Sequence, residues 1–253
     1  MKTQTPHAFY RLGSSLRYLL DAKVGWLVKG ETKIHSNILG VIKNVEELQL
    51  PVTLCALQKL RKLEESLGGA KPEDTLSKEQ ATELHDAARS VREVVNAELK
   101  SLIVYAITPK KFPTDRLIAD MSFLFPNGVY AQLSALAQYD IAEAGKCIAF
   151  ERPTAAAFHL LRATEDALKD FYCFAIKNNR VGSLMMGTMI SDMRQKRKTK
   201  HLSDLIACLD NIRSSYRNPT QHPEKIYDMD EVQNLLGLCA DAMTKLSKAR
   251  LQI

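Results

Sequence analysis

One short stretch of this 253-residue chain gathers side chains suited to handling a phosphate. It reads Arg213-Ser214-Ser215-Tyr216-Arg217-Asn218-Pro219-Thr220-Gln221-His222-Pro223. Arginine holds five N–H donors in a fixed plane that matches phosphate oxygens. Histidine takes or gives a proton near neutral pH. The competing reading is structural, with the arginine meeting carbonyls at a helix C-terminus and the histidine sitting on a polar turn.

The surroundings of this stretch give it a place in a fold. Leu202, Leu205, Ile206, Leu209 and Ile212 recur at steps of three and four, which marks a helix running into it. Pro219 is expected to end that helix, because a proline disfavours helical geometry at the residue before it. Arg217 and Asn218 then lie on the last turn, and His222 in the turn beyond. Asp228 with Glu231 three residues on forms a capping box that opens the final helix. Two other pairs, Arg152 with His159 and Arg194 with His201, fit a looser spacing. Arg152 precedes Pro153 and leads into a helix, so its context differs.

This corner resembles the R-x(4–6)-H motif of the HEPN superfamily, helical domains found in RNA-cleaving toxins and antiviral effectors. Here it reads Arg217-x4-His222, with Asn218 after the arginine. Upstream, Ala144-Gly145-Lys146-Cys147 and the run from Thr154 to Glu165 resemble the long helices of that superfamily. The resemblance covers about residues 130–250 and leaves residues 1–125 without a family. It implies a four-helix up-and-down bundle and a homodimer in which two such corners face one cleft. The implied activity is a metal-independent endoribonuclease that needs no cofactor. The RNA 2′-hydroxyl attacks the adjacent phosphate, His222 serves as base or acid, Arg217 stabilises the phosphoryl charge, and Asn218 orients one of them. Products would carry a 2′,3′-cyclic phosphate and a 5′-hydroxyl, and DNA, lacking the attacking hydroxyl, would not be cut. The biological setting implied is a toxin or a phage-defence effector, with an antitoxin or an activator as possible partner.

Other residues could join such a site. His159, Arg162 and Glu165 fall at three-residue steps, on roughly one helix face. The resemblance places Arg162 and Glu165 near the cleft as accessory groups; a plain Arg162–Glu165 pair is the structural alternative. Arg194, Lys196, Arg197, Lys198 and Lys200 make five basic residues in seven between two predicted helices. Such a run could grip an RNA backbone through counterion release, or be only a solvated loop. Met185, Met186, Met189 and Met193 recur near helical spacing, and core filling is the reading preferred over a lid or a dimer contact. Trp26, Tyr10 and Tyr18 read as packing residues.

The elements that must position these groups are all helical. Apolar periodicity predicts helices over 8–28, 50–67 and 77–106, the last opened by a Ser77/Gln80 capping box and reaching toward Pro109. About thirty residues would make it roughly 45 Å long, enough to brace two domains or carry a dimer contact. A proline-rich linker over 108–127 holds a short helix over 115–125, and further helices follow over 129–149, 153–178, 201–217 and 228–250. The fold class expected is therefore all-α, with a helical N-terminal region over 1–125 and the HEPN-like bundle over 126–253.

Composition agrees with a globular chain: 45% hydrophobic and 25% charged residues exclude a disordered tail or a rod. The net charge of +6 divides as 18 basic and 15 acidic residues before position 131 and 17 and 14 after it, so the excess is not a tail. It favours a polyanionic partner only weakly. No apolar run approaches the roughly 18–20 residues that span a bilayer, and the N-terminus lacks the apolar segment of a secretory signal, so no membrane partner is expected and the cytoplasm is the expected compartment. The five cysteines are odd in number and widely spaced, which fits reduced, buried thiols rather than disulfides or zinc. Glycine-rich nucleotide loops, HExxH and GxSxG are absent from the sequence. Besides the ribonuclease, two other readings stay open: a non-catalytic RNA-binding or adaptor protein that uses the bundle for dimerisation, and a regulator that senses a nucleotide at the Arg217/His222 corner.

Overall fold

A computed structural model describes residues 5–176, 185–222 and 225–253. The chain is all-α, and among the described residues the one backbone bridge of sheet type joins Leu27 to Thr75. No described helix is long and apolar enough to cross a membrane. Two compact units are present, Met1–Tyr105 and Ala106–Ile253.

The first unit holds α1 (Pro6–Asp21), α2 (Ile34–Leu48), α3 (Pro51–Ala56), α4 (Gln58–Leu67) and α5 (Lys78–Ser101). Its core is aliphatic, with Leu12, Leu16 and Leu19 of α1 against Ile34, Ile38, Val41 and Val45 of α2. The expected helix over 8–28 stops at Asp21 because Ala22 turns extended and Gly25 takes a positive φ of 86°, a geometry glycine adopts without steric penalty. Backbone bonds between residues 25–28 and 74–76 then pin the two loops together, as in Leu76 N–H to the Trp26 carbonyl at 2.8 Å. The sequence reading assigns nothing to α2, although Ile34, Ile38, Val41, Val45 and Leu48 keep helical spacing. The expected helix over 50–67 is two helices broken at Leu57. Glu98 of α5 reaches the N-terminus of α3, where its carboxylate accepts from Val52 N–H at 3.0 Å and Thr53 N–H at 2.8 Å. An anion suits the positive end of a helix dipole.

The Ser77/Gln80 capping box forms as expected. The helix it opens has 24 residues, about 36 Å at the standard rise, and ends at Ser101 rather than near 106. Ile103, Val104 and Tyr105 follow it, and β-branched and aromatic side chains propagate a helix poorly. The buried face of α5 (Leu84, Ala88, Val91 and Val95) belongs to the core of the first unit.

The second unit holds α6 (Thr114–Ala119), a 3₁₀ turn (Met121–Leu124), α7 (Val129–Gln132), α8 (Ala135–Ala149), α9 (Pro153–Ile176), α10 (Met186–Gln195), α11 (Ser203–Ile212), α12 (Asn218–Gln221) and α13 (Met229–Arg250). The short connection between α8 and α9 makes them a hairpin; α13 packs on α9 and α11, and α10 on α9 and α11. Residues 106–125, expected in the first domain, belong here. Lys111 N–H donates to Gln233 Oε1 and its Nζ to Asn234 Oδ1, both at 2.7 Å, and Leu117, Met121 and Phe125 enter the second core. The unit boundary therefore lies about twenty residues before the expected one.

Met186, Met189 and Met193 fill this core, while Met185 is exposed. All five cysteines are free; contrary to the expectation of buried thiols, Cys147, Cys173 and Cys208 are half-buried and Cys55, facing outward on the short α3, is exposed. Cys239 is buried, and burial pushes its thiol up to about 12, so it stays protonated.

Gly145 marks the tightest helix contact. A Cβ there would overlap the Leu117 carbonyl oxygen and Met121 Sδ. Alanine is intrinsically the better helix former by about 0.8–1 kcal/mol, but overpacking against a backbone atom opposes it. Gly145→Ala is expected to destabilise the protein by about 1–3 kcal/mol, measured by urea unfolding; an increase in stability would show that α6 yields freely.

Candidate functional site

The Arg217 corner is built by an irregular helix. α11 continues into a π-helical turn, Arg213–Arg217, in which Asn218 N–H reaches back five residues to the Arg213 carbonyl. Pro219, which has no N–H to place, sits in the first turn of α12, where that donor is not needed. Contrary to the sequence expectation, Pro219 therefore does not end the helical path. The widened turn absorbs it, and the path runs on to Gln221. Arg217 and Asn218 lie within the path, and His222 follows it with an extended backbone.

Polar contacts pin the corner. Thr220 is buried, donates to the Tyr216 carbonyl at 2.6 Å and shares a 2.7 Å bond with the Tyr227 hydroxyl. Tyr227 N–H donates to Thr154 Oγ1 at the start of α9. Lys225 Nζ lies 5.1 Å from the Tyr216 ring centre and 4.8 Å from that of Tyr227, and pairs with Glu231 at 3.3 Å. The Asp228/Glu231 capping box opens α13 as expected.

Arg217 faces α9 across a groove of about 400 Å³ lined by Phe158, His159, Leu161, Arg162, Glu165, Lys169, Arg217 and Gln221. Arg217 Nη2 stands 3.5 Å from Glu165 Oε2, at the limit of hydrogen bonding, and its Nε is buried with no partner among the described residues. Three cations, Arg162, Lys169 and Arg217, line the groove against the single carboxylate Glu165.

Arg162 is anchored from below. Asp140 of α8 is fully buried and accepts from Arg162 through Nε at 2.6 Å and Nη2, and from His159 Nδ1 at 2.8 Å. The expected structural partner of Arg162 was Glu165. Instead the carboxylate that water cannot reach takes the planar guanidinium fork, because a buried charge needs a counter-charge and filled hydrogen bonds. The hydrogen bonds to Asp140 in turn raise the pKa of Arg162 above its ordinary value. Just over half of the Arg162 side chain, 55%, remains exposed.

The other candidates lie elsewhere. His222 is exposed and Asn218 half-buried; their backbones bond to each other at 3.1 Å, and neither lines the groove. The basic run is divided in use. Arg194 closes on Asp210 at 2.6 Å beside Arg213, and Lys196 stands 3.7 Å from Asp192. Arg197, Lys198 and Lys200 are exposed. Two residues of the site escaped the sequence reading. Lys169 lies four residues past Glu165 and seven past Arg162, a legible helical spacing. Asp140 was legible as an acid within the apolar stripe Ala137, Ile141, Ala144 and Ile148.

No family model, no curated protein and no solved structure matches the chain.

Two outcomes follow from these ion pairs. Arg162→Ala leaves Asp140 with His159 alone. The expected loss is about 2–3 kcal/mol, below the ~3–5 typical of breaking a fully buried pair, since one partner stays and the arginine is partly solvated; denaturation under about 0.5 kcal/mol of change would deny Asp140 this role. The second concerns pH. Hydrogen bonds from Arg194 and Arg213 hold the Asp210 carboxyl below its ordinary value. Its stabilisation is complete above the unfolded-chain value of about 3.9 and is lost as pH falls through the lower folded value. Arg194→Gln should flatten that acid loss in melting curves below about pH 4, and an unchanged acid limb would contradict it.

Proposed function

We propose that the groove binds the phosphodiester backbone of RNA and that the second unit is a HEPN-like endoribonuclease acting without a metal. The observation that carries this reading is the Arg217 guanidinium, half-buried in a cationic groove with a weak ion pair and an unused Nε donor. A phosphate oxygen would displace the weakly held Glu165 from Arg217 Nη2, and Lys169 and the exposed edge of Arg162 would add charge. Arg217 then stabilises the phosphoryl oxygens as the 2′-hydroxyl attacks, and His222, one residue past the groove-lining Gln221, transfers a proton. Asn218 orients the turn that carries His222. The exposed Arg197, Lys198 and Lys200 supply sequence-independent attraction for the strand. A second copy of the chain, as in the superfamily it resembles, would bring two corners to one cleft, and the setting such domains suggest is toxin or phage-defence biology, with an antitoxin or activator as partner. One observation favours a second reading, RNA or nucleotide binding without cleavage: His222 lies outside the groove lining.

The test is RNA cleavage in excess EDTA by the wild type, Arg217→Ala and His222→Ala, with folding matched by circular dichroism. The expected result is cutting that survives chelation, leaves 2′,3′-cyclic phosphate ends, and falls by about 10²-fold or more in both variants. RNA binding by the wild type without cutting would hand the site to the second reading.

A further inference from the structure

The groove contains a histidine that is already oriented. His159 lines it from α9, and its Nδ1 is turned onto Asp140 Oδ1 at 2.8 Å. Asp140 is fully buried, and both of its oxygens already accept from the Arg162 fork, so it is the acceptor for His159 as well. A carboxylate there makes Nδ1 the donor, and the neutral ring then carries its lone pair on Nε2. No described residue hydrogen-bonds that nitrogen. The charged groups around the ring are Asp140 from α8, Arg162, Glu165 and Lys169 from α9, and Arg217 from the π turn. A base fixed by a buried acid beside an arginine held only by a 3.5 Å ion pair is the layout that proton abstraction next to a phosphate requires.

We infer that His159, held by Asp140, is the general base of this groove for a ribonucleotide phosphodiester. The inference rests on the phosphodiester reading above and adds to it the group that starts the reaction. His159 Nε2 takes the proton of the 2′-hydroxyl; the 2′-oxygen bonds to phosphorus, and the bond from phosphorus to the 5′-oxygen breaks. The leaving 5′-oxygen takes a proton from the His222 imidazolium, and the two histidines regain their starting states by exchange with water. Asp140 acts through His159 and is a positioning residue.

The experiment uses the full chain and a single-stranded oligoribonucleotide of mixed sequence. His159→Asn keeps a donor near the Nδ1 position for Asp140 and removes the Nε2 lone pair, and Arg162 still compensates Asp140, so the fold survives. The expected result is a fall in kcat of about 10²–10⁴-fold with KM within about threefold of the wild type. Imidazole ¹⁵N NMR of the wild type should show His159 with its proton on Nδ1 and a Nε2 signal that moves on adding uridine 3′-monophosphate. Asp140→Asn should lower the Nδ1–H population, a change that loosened packing alone does not produce. Full activity in His159→Asn, or a proton on Nε2 in the wild type, overturns the inference and leaves the phosphodiester reading standing. A wild type that binds RNA and never cuts it overturns the inference and the cleavage half of the reading above, and leaves phosphodiester binding; one that neither binds nor cuts overturns both.

Discussion

A carboxylate with no access to water organises the second unit. Asp140 sits between α8 and α9, and burying an ionised group is tolerable only when charge and hydrogen bonds compensate it. Arg162 and His159 supply both, which sets the rotation of α9 relative to α8 and turns Arg162, Glu165 and Lys169 toward the groove. An apolar residue at 140 could pack equally well on its neighbours but would leave those side chains free to choose other orientations. The arrangement of the groove thus begins beneath it.

Above it, the π turn solves a different problem. A regular helix through Arg213–Arg217 would meet Pro219 with a steric clash and a missing donor. Widening one turn admits the proline, and Arg217 comes to face α9 with its donors only partly used. Thr220, Tyr227 and Lys225 then hold the corner against the starts of α9 and α13 by polar bonds and ring contacts. The local irregularity and the unsatisfied donor occur together at this corner.

Close approach elsewhere makes this geometry stable. Gly145 lets α6 lie directly on α8, so that Leu117 and Met121 close one side of the core. Lys111 ties the incoming chain to α13, and Arg194, Asp210 and Arg213 clasp α10 to α11. The basic run is consequently half structural: its first arginine fastens two helices, and its later cations face solvent.

The sequence by itself determined the all-α class, both capping boxes and most helices of the second unit, because apolar spacing and cap residues are local signals read within a few positions. It also picked out Arg217, Arg162 and Glu165, which line one groove, together with Asn218 and His222, which do not. It missed α2, whose apolar spacing is helical but whose β-branched residues have low helix propensity, and it overran α5, whose end depends on propensity rather than on any breaker. Tertiary structure alone decided that residues 106–125 join the second core, that Pro219 is accommodated, and that Arg162 pairs with Asp140 and not with the nearer Glu165. Those outcomes rest on burial and on contacts across helices, where the competition among partners is settled by which charge has lost its water.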